Sequence, residues 1–157
     1  MAQTQVVLQK GDTAPEFVLK DQDGKDFSLS DLKGRRVLLS FHPLAWTGVC
    51  AKQMRSLEDN ADVFDILNTV PVGISVDSVP TKKAWSEHLE ITRVKLLSDF
   101  WPHGGVSRLY GLFREKEGFS ERANVIVGED GKISFIKVYE LKELPDIEEI
   151  IRVLKTL

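Results

Sequence analysis

Arg36-Val37-Leu38-Leu39-Ser40-Phe41 is an almost uninterrupted apolar run of strand length, the pattern of a strand buried on both faces. Upstream, Phe17 to Leu29 reads as two short strands joined by an Asp23-Gly24 turn, and Ser30 to Gly34 punctuates the chain before the buried strand begins. Downstream the period changes. From Cys50, the residues Met54, Leu57, Val63, Phe64 and Leu67 recur at helical spacing, with Lys52, Arg55, Glu58 and Asp59 on a polar face and Asn60 as a break. Val70 to Val76 is the next strand, and Pro80 to Leu89 begins as helices do, with proline in the first turn.

The second half continues the alternation and then departs from it. Val94-Lys95-Leu96-Leu97 is a short strand and Gly105 to Gly111 a short helix ending at glycine. Asn124 to Val127 and Ile133 to Val138 flank Glu129-Asp130-Gly131-Lys132, a hairpin with a strong Asp-Gly signal. Leu144 to Leu157 closes the chain as an amphipathic helix with Ile147, Ile150, Ile151, Val153 and Leu154 facing a core. The economical assembly is α/β: a central mixed sheet flanked by helices, parallel βαβ units first and an antiparallel hairpin late. Without repeats or low-complexity tracts, residues 1–157 read as one domain, long enough to bury about two-thirds of the unfolded surface.

Composition adds mainly exclusions. A net charge of −3 argues against general nucleic-acid binding. Met1 to Gln5 carries no basic segment, and Val6-Val7-Leu8 is too short for a signal peptide or membrane span, so a cytoplasmic location and no membrane partner are expected. His42, His88 and His103 lack close ligand spacing, and no metal or other cofactor is expected. Cys50 is the only cysteine, so no internal disulfide supports the fold.

The chemistry concentrates around that cysteine. Cys50 ends the loop Pro43-Leu44-Ala45-Trp46-Thr47-Gly48-Val49-Cys50, between the buried strand and a helix. Loops at the carboxyl ends of strands are where α/β folds place ligands, and a sulfur at a helix start meets unpaired N–H groups and the positive end of the helix dipole. A lone cysteine is otherwise a small buried hydrophobe. Thr47 can bring a hydroxyl to the same space, to donate to a thiolate or accept from a peroxide. Pro43 stiffens the loop entrance and removes an N–H.

Pro43, Thr47 and Cys50 match PxxxTxxC, and the chain here resembles the peroxiredoxin family. Arg122, entering the late strand Ala123-Asn124-Val125-Ile126-Val127, fits the place of the family's arginine. The likeness also takes in Gly11 to Phe17, the Trp85 helix, and Leu97-Ser98-Asp99-Phe100-Trp101-Pro102-His103-Gly104, which is similar to the AhpE-type one-cysteine branch of the AhpC/TSA superfamily. The resemblance implies a thioredoxin fold with an N-terminal β-hairpin extension. It implies reduction of hydrogen peroxide, organic hydroperoxides or peroxynitrite through a Cys50 sulfenic acid. Arg122 would stabilise the thiolate and the leaving oxygen, Thr47 would orient the peroxide, the Val49 and Cys50 N–H groups would complete an anion pocket, and Pro43 would shield the sulfur.

Some positions depart from the family's commonest pattern. Gln53 stands where many relatives have glutamate, which weakens the orientation of the arginine without removing it. His42 stands where many have tyrosine, with an effect on the thiol whose sign the sequence leaves open. Gly128 replaces a frequent aspartate. With no resolving cysteine, the sulfenic acid must pass to an external thiol: thioredoxin, a glutaredoxin-like protein or a low-molecular-weight thiol. A two-cysteine protein whose resolving cysteine had been removed by engineering would read the same way. In the resemblance the active-site loop lies beside a dimer interface, so Trp46 and Trp85 are candidates for supporting a homodimer. The Lys82-Lys83 pair and the acidic Glu140 to Glu149 stretch read as solvated faces, the latter able to help select a reductant, and His88 and His103 as solvated or packing residues. Two other classes stay open: a disulfide reductant, disfavoured by the missing CxxC, and a redox sensor or holdase that oxidises Cys50 without turnover.

Overall fold

A computed structural model describes residues 7–157; Met1 to Val6, including most of the segment read above for targeting signals, lie outside the described residues. Seven strands form one sheet in the order β2-β1-β5-β4-β3-β8-β9. At the centre β3 (Arg36–Phe41) runs parallel to β4 (Thr69–Ser75), and β4 parallel to β5 (Lys95–Ser98), while on its other side β3 pairs antiparallel with β8 (Arg122–Val127). β8 and β9 (Ile133–Tyr139) form the antiparallel hairpin. At the other edge, β1 (Val18–Lys20) and β2 (Asp26–Ser28) form the N-terminal hairpin, joined to β5 through Lys20 and Ser98.

Helices α1 (Gly48–Asp59), α2 (Ala61–Ile66), α3 (Val79–His88), α4 (Gly105–Leu109) and α5 (Ile147–Thr156) complete the fold. Alternation along the strands divides the interior into two cores. Val37, Leu39, Phe41, Ile74 and Val125 belong to one, with Tyr110. Leu38 and Ile126 belong to the other, with Cys50, Met54, Leu57, Trp85, Ile150 and Leu154 from the helices. The helix expected from Cys50 does break at Asn60, between α1 and α2. α5 starts later than its apolar pattern, at Ile147, because the Asp146 carboxylate caps it by accepting from the Glu148 N–H at 3.0 Å.

One element escaped the sequence pattern. β6 (Phe113–Arg114) and β7 (Phe119–Ser120) make a small separate hairpin, each strand too short to show alternation. Among the described residues, no helix is long and apolar enough to cross a membrane.

Candidate active site

β3 delivers the site. Its period of two puts Leu38, Ser40 and His42 on the face covered by α1, and β8 puts Arg122, Asn124 and Ile126 on that same face. Leu38 pairs with Ile126 and Ser40 with Asn124. Continuing this register by two residues sets His42 beside Arg122 at the end of the sheet, under the start of α1. The neighbouring strand contributes a glycine for a packing reason: a Cβ on Gly73 would lie 2.3 Å from Met54 Sδ, 3.1 Å from Leu96 Cδ2 and 3.2 Å from His42 Cε1. A side chain there would push α1 and its cysteine off the sheet.

The loop between β3 and α1 is tied to the end of β4. Asp77 accepts from the Ala45 N–H at 2.8 Å and from the Ser75 hydroxyl at 2.6 Å, both on Oδ2. Pro43 is buried, and Trp46, at φ 66°, turns the chain and packs its ring tilted against His88 with centroids 5.1 Å apart. Thr47 is the N-cap of α1, yet its hydroxyl does not cap the helix; it donates to the Leu44 carbonyl at 2.8 Å. That commits its proton and leaves its lone pairs as acceptors. The Val49 and Cys50 N–H groups belong to the first turn, where no intrahelical acceptor exists, and the Thr47 side chain does not satisfy them. Val49 is half-buried, and Cys50 is only 1% exposed.

Arg122 reaches the sulfur from β8. Its Nη1 donates to Cys50 Sγ at 3.3 Å and to Gln53 Oε1 at 2.7 Å, while Nε donates to the Leu141 carbonyl at 2.9 Å. Gln53 is fixed in turn, donating from Nε2 to Ser40 Oγ at 2.7 Å and to the Phe41 carbonyl at 3.2 Å. The glutamine therefore orients the guanidinium through a full set of bonds. Being neutral, it also leaves the positive charge for the sulfur, since among the described residues Arg122 has no carboxylate partner.

His42 is entirely buried. Its Nδ1 faces the Ser40 carbonyl at 3.4 Å, and its Nε2 meets Lys82 Nζ at 2.8 Å. Burial, and then the Lys82 charge, hold the imidazole well below the usual histidine range, so it is neutral. The lysine corrects the reading of Lys82-Lys83 as one solvated face. Lys83 is exposed and paired with Asp23 at 3.2 Å, but Lys82 is wholly buried, because α3 turns it with Trp85 and Ser86 into the core. Trp85, 1% exposed inside the chain, is likewise no surface for an interface, whereas Trp46 is 52% exposed.

The structure thus joins Arg122 to Cys50 and Gln53 by hydrogen bonds, with Pro43, Thr47 and Val49 on the loop and first turn leading to the cysteine and His42 buried at the end of β3. Sequence reasoning missed four supports: Ser40, Asp77, Lys82 and Leu141. Only Lys82 carried a sequence signal, lying three residues before a core tryptophan on one helical face. Among the described residues, no group of three metal-ligating side chains converges.

A mixed sheet that presents a buried thiol at a helix start, with a guanidinium on it, defines a thiol enzyme of thioredoxin-like fold. Residues 10–136 match the model of the AhpC/TSA family, and the chain belongs to that family. It is 39% identical over 141 residues to alkyl hydroperoxide reductase E of Mycobacterium tuberculosis, spanning 89% of this chain and 92% of that protein. Solved structures of peroxiredoxins share the fold. Reduced 2-Cys peroxiredoxin of Plasmodium vivax is 28% identical with a TM-score of 0.86, over 93% of this chain and 80% of that one. Peroxidoxin BcpB of M. tuberculosis is 27% identical with a TM-score of 0.84, over 96% and 98%.

Proposed function

We propose that this peroxiredoxin is a one-cysteine, thiol-dependent peroxidase in which Cys50 is the nucleophile. The observation that carries the reading is the Arg122 guanidinium 3.3 Å from Sγ, oriented by a neutral glutamine and unpaired with any carboxylate among the described residues. The thiolate attacks the terminal oxygen of the peroxide; the S–O bond forms, the O–O bond breaks, and the leaving oxygen takes a proton to become water or an alcohol. Thr47, its own proton committed to Leu44, accepts from the peroxide O–H and so turns the terminal oxygen towards the sulfur. Arg122 and the Val49 and Cys50 N–H groups face the charge that develops on the oxygens, the placement that supplies the largest catalytic effects. Pro43 and the burial of Cys50 keep bulk water from the sulfenic acid.

An external thiol then attacks the sulfenic sulfur, water leaves, and a second thiol releases Cys50 from the mixed disulfide. The M. tuberculosis relative named an alkyl hydroperoxide reductase supports organic hydroperoxides as substrates beside hydrogen peroxide. The continuous seven-stranded sheet supports reading 1–157 as one domain. The exposed Trp46 next to the site supports a homodimer, and the need for an external reductant suits the cytoplasm. Stopped-flow mixing of reduced protein with hydrogen peroxide should show single-turnover loss of the thiol far faster than for a free cysteine. A rate equal to the free thiol's contradicts the assignment.

A further inference from the structure

Lys82 is a buried amine that the peroxide step described above does not use. It is 0% exposed, with Nζ 5.5 Å from the Trp85 ring centroid and 2.8 Å from His42 Nε2. Among the described residues it has no carboxylate at ion-pair distance. His42 itself hangs from the sheet position beside Arg122, which contacts Cys50, so the amine is joined to the site through the imidazole rather than held in a surface network. A lysine placed there is costly, because a buried ammonium without a paired anion loses its hydration.

We propose that Lys82 is a positioning residue for the peroxide step, its ammonium held on His42 as a second positive charge behind Cys50, so that thiolate formation and proton binding at Lys82 are linked. The charged and titratable groups acting on the pair are identifiable on every side. Asp77 in the loop after β4 and the Cys50 thiolate on α1 favour the ammonium, and Arg122 on β8 disfavours a charged His42. Burial brings the lysine down to about 7, so it can change its protonation near neutral pH. Coupling between two sites is reciprocal: an anion on Cys50 that favours the ammonium is favoured by it to the same extent.

The proton balance of the reaction follows. In the reduced protein the proton leaving the thiol is matched by one held on Lys82. When the thiolate gives its electron pair to the terminal oxygen, sulfur becomes neutral sulfenic acid and the leaving oxide takes up one proton. Lys82, having lost its anionic neighbour, tends to give one up. The lysine thereby buffers the charge change of the step through solvent exchange, with no direct transfer to substrate required.

This inference rests on Cys50 being the ionising nucleophile, and its test does not use peroxidase activity. The thiolate is titrated by its ultraviolet absorbance and by iodoacetamide alkylation against pH in wild type, Lys82→Met and, as control, the exposed Lys83→Met. Lys82→Met should move thiolate formation up by about one pH unit, a tenfold smaller thiolate fraction below that pH, and Lys83→Met should move it little. As Lys82→Met also changes the core, the reciprocal measurement uses the native lysine: the Lys82 side-chain carbon resonance, titrated by NMR, should change protonation at lower pH in Cys50→Ala than in the wild type. Coincident thiolate titrations in wild type and Lys82→Met, or a Lys82 titration indifferent to Cys50→Ala, overturns the linkage and leaves the peroxidase reading intact.

Discussion

Replacing Arg122 by methionine removes the guanidinium while keeping an apolar stem of similar reach. Arg122 is 3% exposed, so its charge acts on the sulfur with little solvent screening. A unit charge pair at 3.3 Å interacts by about 5 kcal/mol at an effective permittivity of about 20, an upper limit on what the thiolate loses. Loss of one fixed donor at developing charge costs about 3–4 kcal/mol in other enzymes, or 10²–10³ in rate. The two figures agree in order, so the second-order rate with hydrogen peroxide should fall by about 10³ at neutral pH. Raising the pH until the thiol is fully ionised should recover only part of it, because the leaving oxygen still lacks its donor. The fold should weaken too. Gln53 Oε1 loses its partner in the buried interior, at a cost of about 1–3 kcal/mol, and the half-buried Leu141 carbonyl loses one that water can partly replace. Arg122→Lys keeps a charge but not the fork that spans Leu141, Gln53 and Cys50, and should recover only part of the rate. Stopped-flow kinetics across pH, with urea unfolding of each variant, decides the matter. An Arg122→Met rate within about threefold of wild type refutes the role given to the guanidinium.

Thr47→Val removes the acceptor for the peroxide O–H and the bond to Leu44; single-turnover kinetics should slow by about 10²-fold with thiolate titration unchanged, and Thr47→Ser should restore most of the rate. Gly73→Ala places a methyl group against Met54 and His42, and urea unfolding should show a loss of about 1–3 kcal/mol, with no loss indicating that α1 can shift freely. Lys82 is pushed down to about 7 in the folded protein, whereas the unfolded lysine keeps its proton to about 10. The unfolded state therefore binds more protons between those values, and stability should rise with pH from 7 to 9. His42, also held below its ordinary range, works in the same direction on the acid side, where protonation of the unfolded imidazole erodes stability as the pH falls through about 6.5. Urea midpoints at pH 6, 7 and 9 measure both effects, and Lys82→Met should flatten the alkaline part.

The legible parts of the fold are those whose pattern is local. β3 shows itself as an apolar run because both its faces are covered, and the β8–β9 hairpin through Asp130-Gly131 because the turn demands that chemistry. β6 and β7 are invisible by the same reasoning, since two residues cannot alternate. At the site, Cys50, Thr47 and Pro43 lie on one short loop and can be read together. Arg122 stands 72 residues from Cys50, too far for any local pattern to join them, and only the family resemblance links the two in sequence. The supports needed the register. Ser40 looks like an interruption of an apolar strand, and it becomes the anchor of Gln53 only when α1 crosses β3. The Leu141 contribution is a backbone carbonyl, which no side-chain pattern announces. Lys82 was hidden by its neighbour: two adjacent lysines suggest a solvated surface, and only the 100° step between consecutive residues of α3 separates the exposed one from the buried one.

The most direct test of the central claim is the intact mass of the reduced protein after one equivalent of hydrogen peroxide, measured before and after addition of low-molecular-weight and protein thiols. The reduced protein should gain one oxygen atom, absent in Cys50→Ser, which an external thiol converts to a mixed disulfide at Cys50 and then back to the starting mass. An oxidised Cys50 that no thiol reduces, or an oxygen gained equally by Cys50→Ser, contradicts that claim.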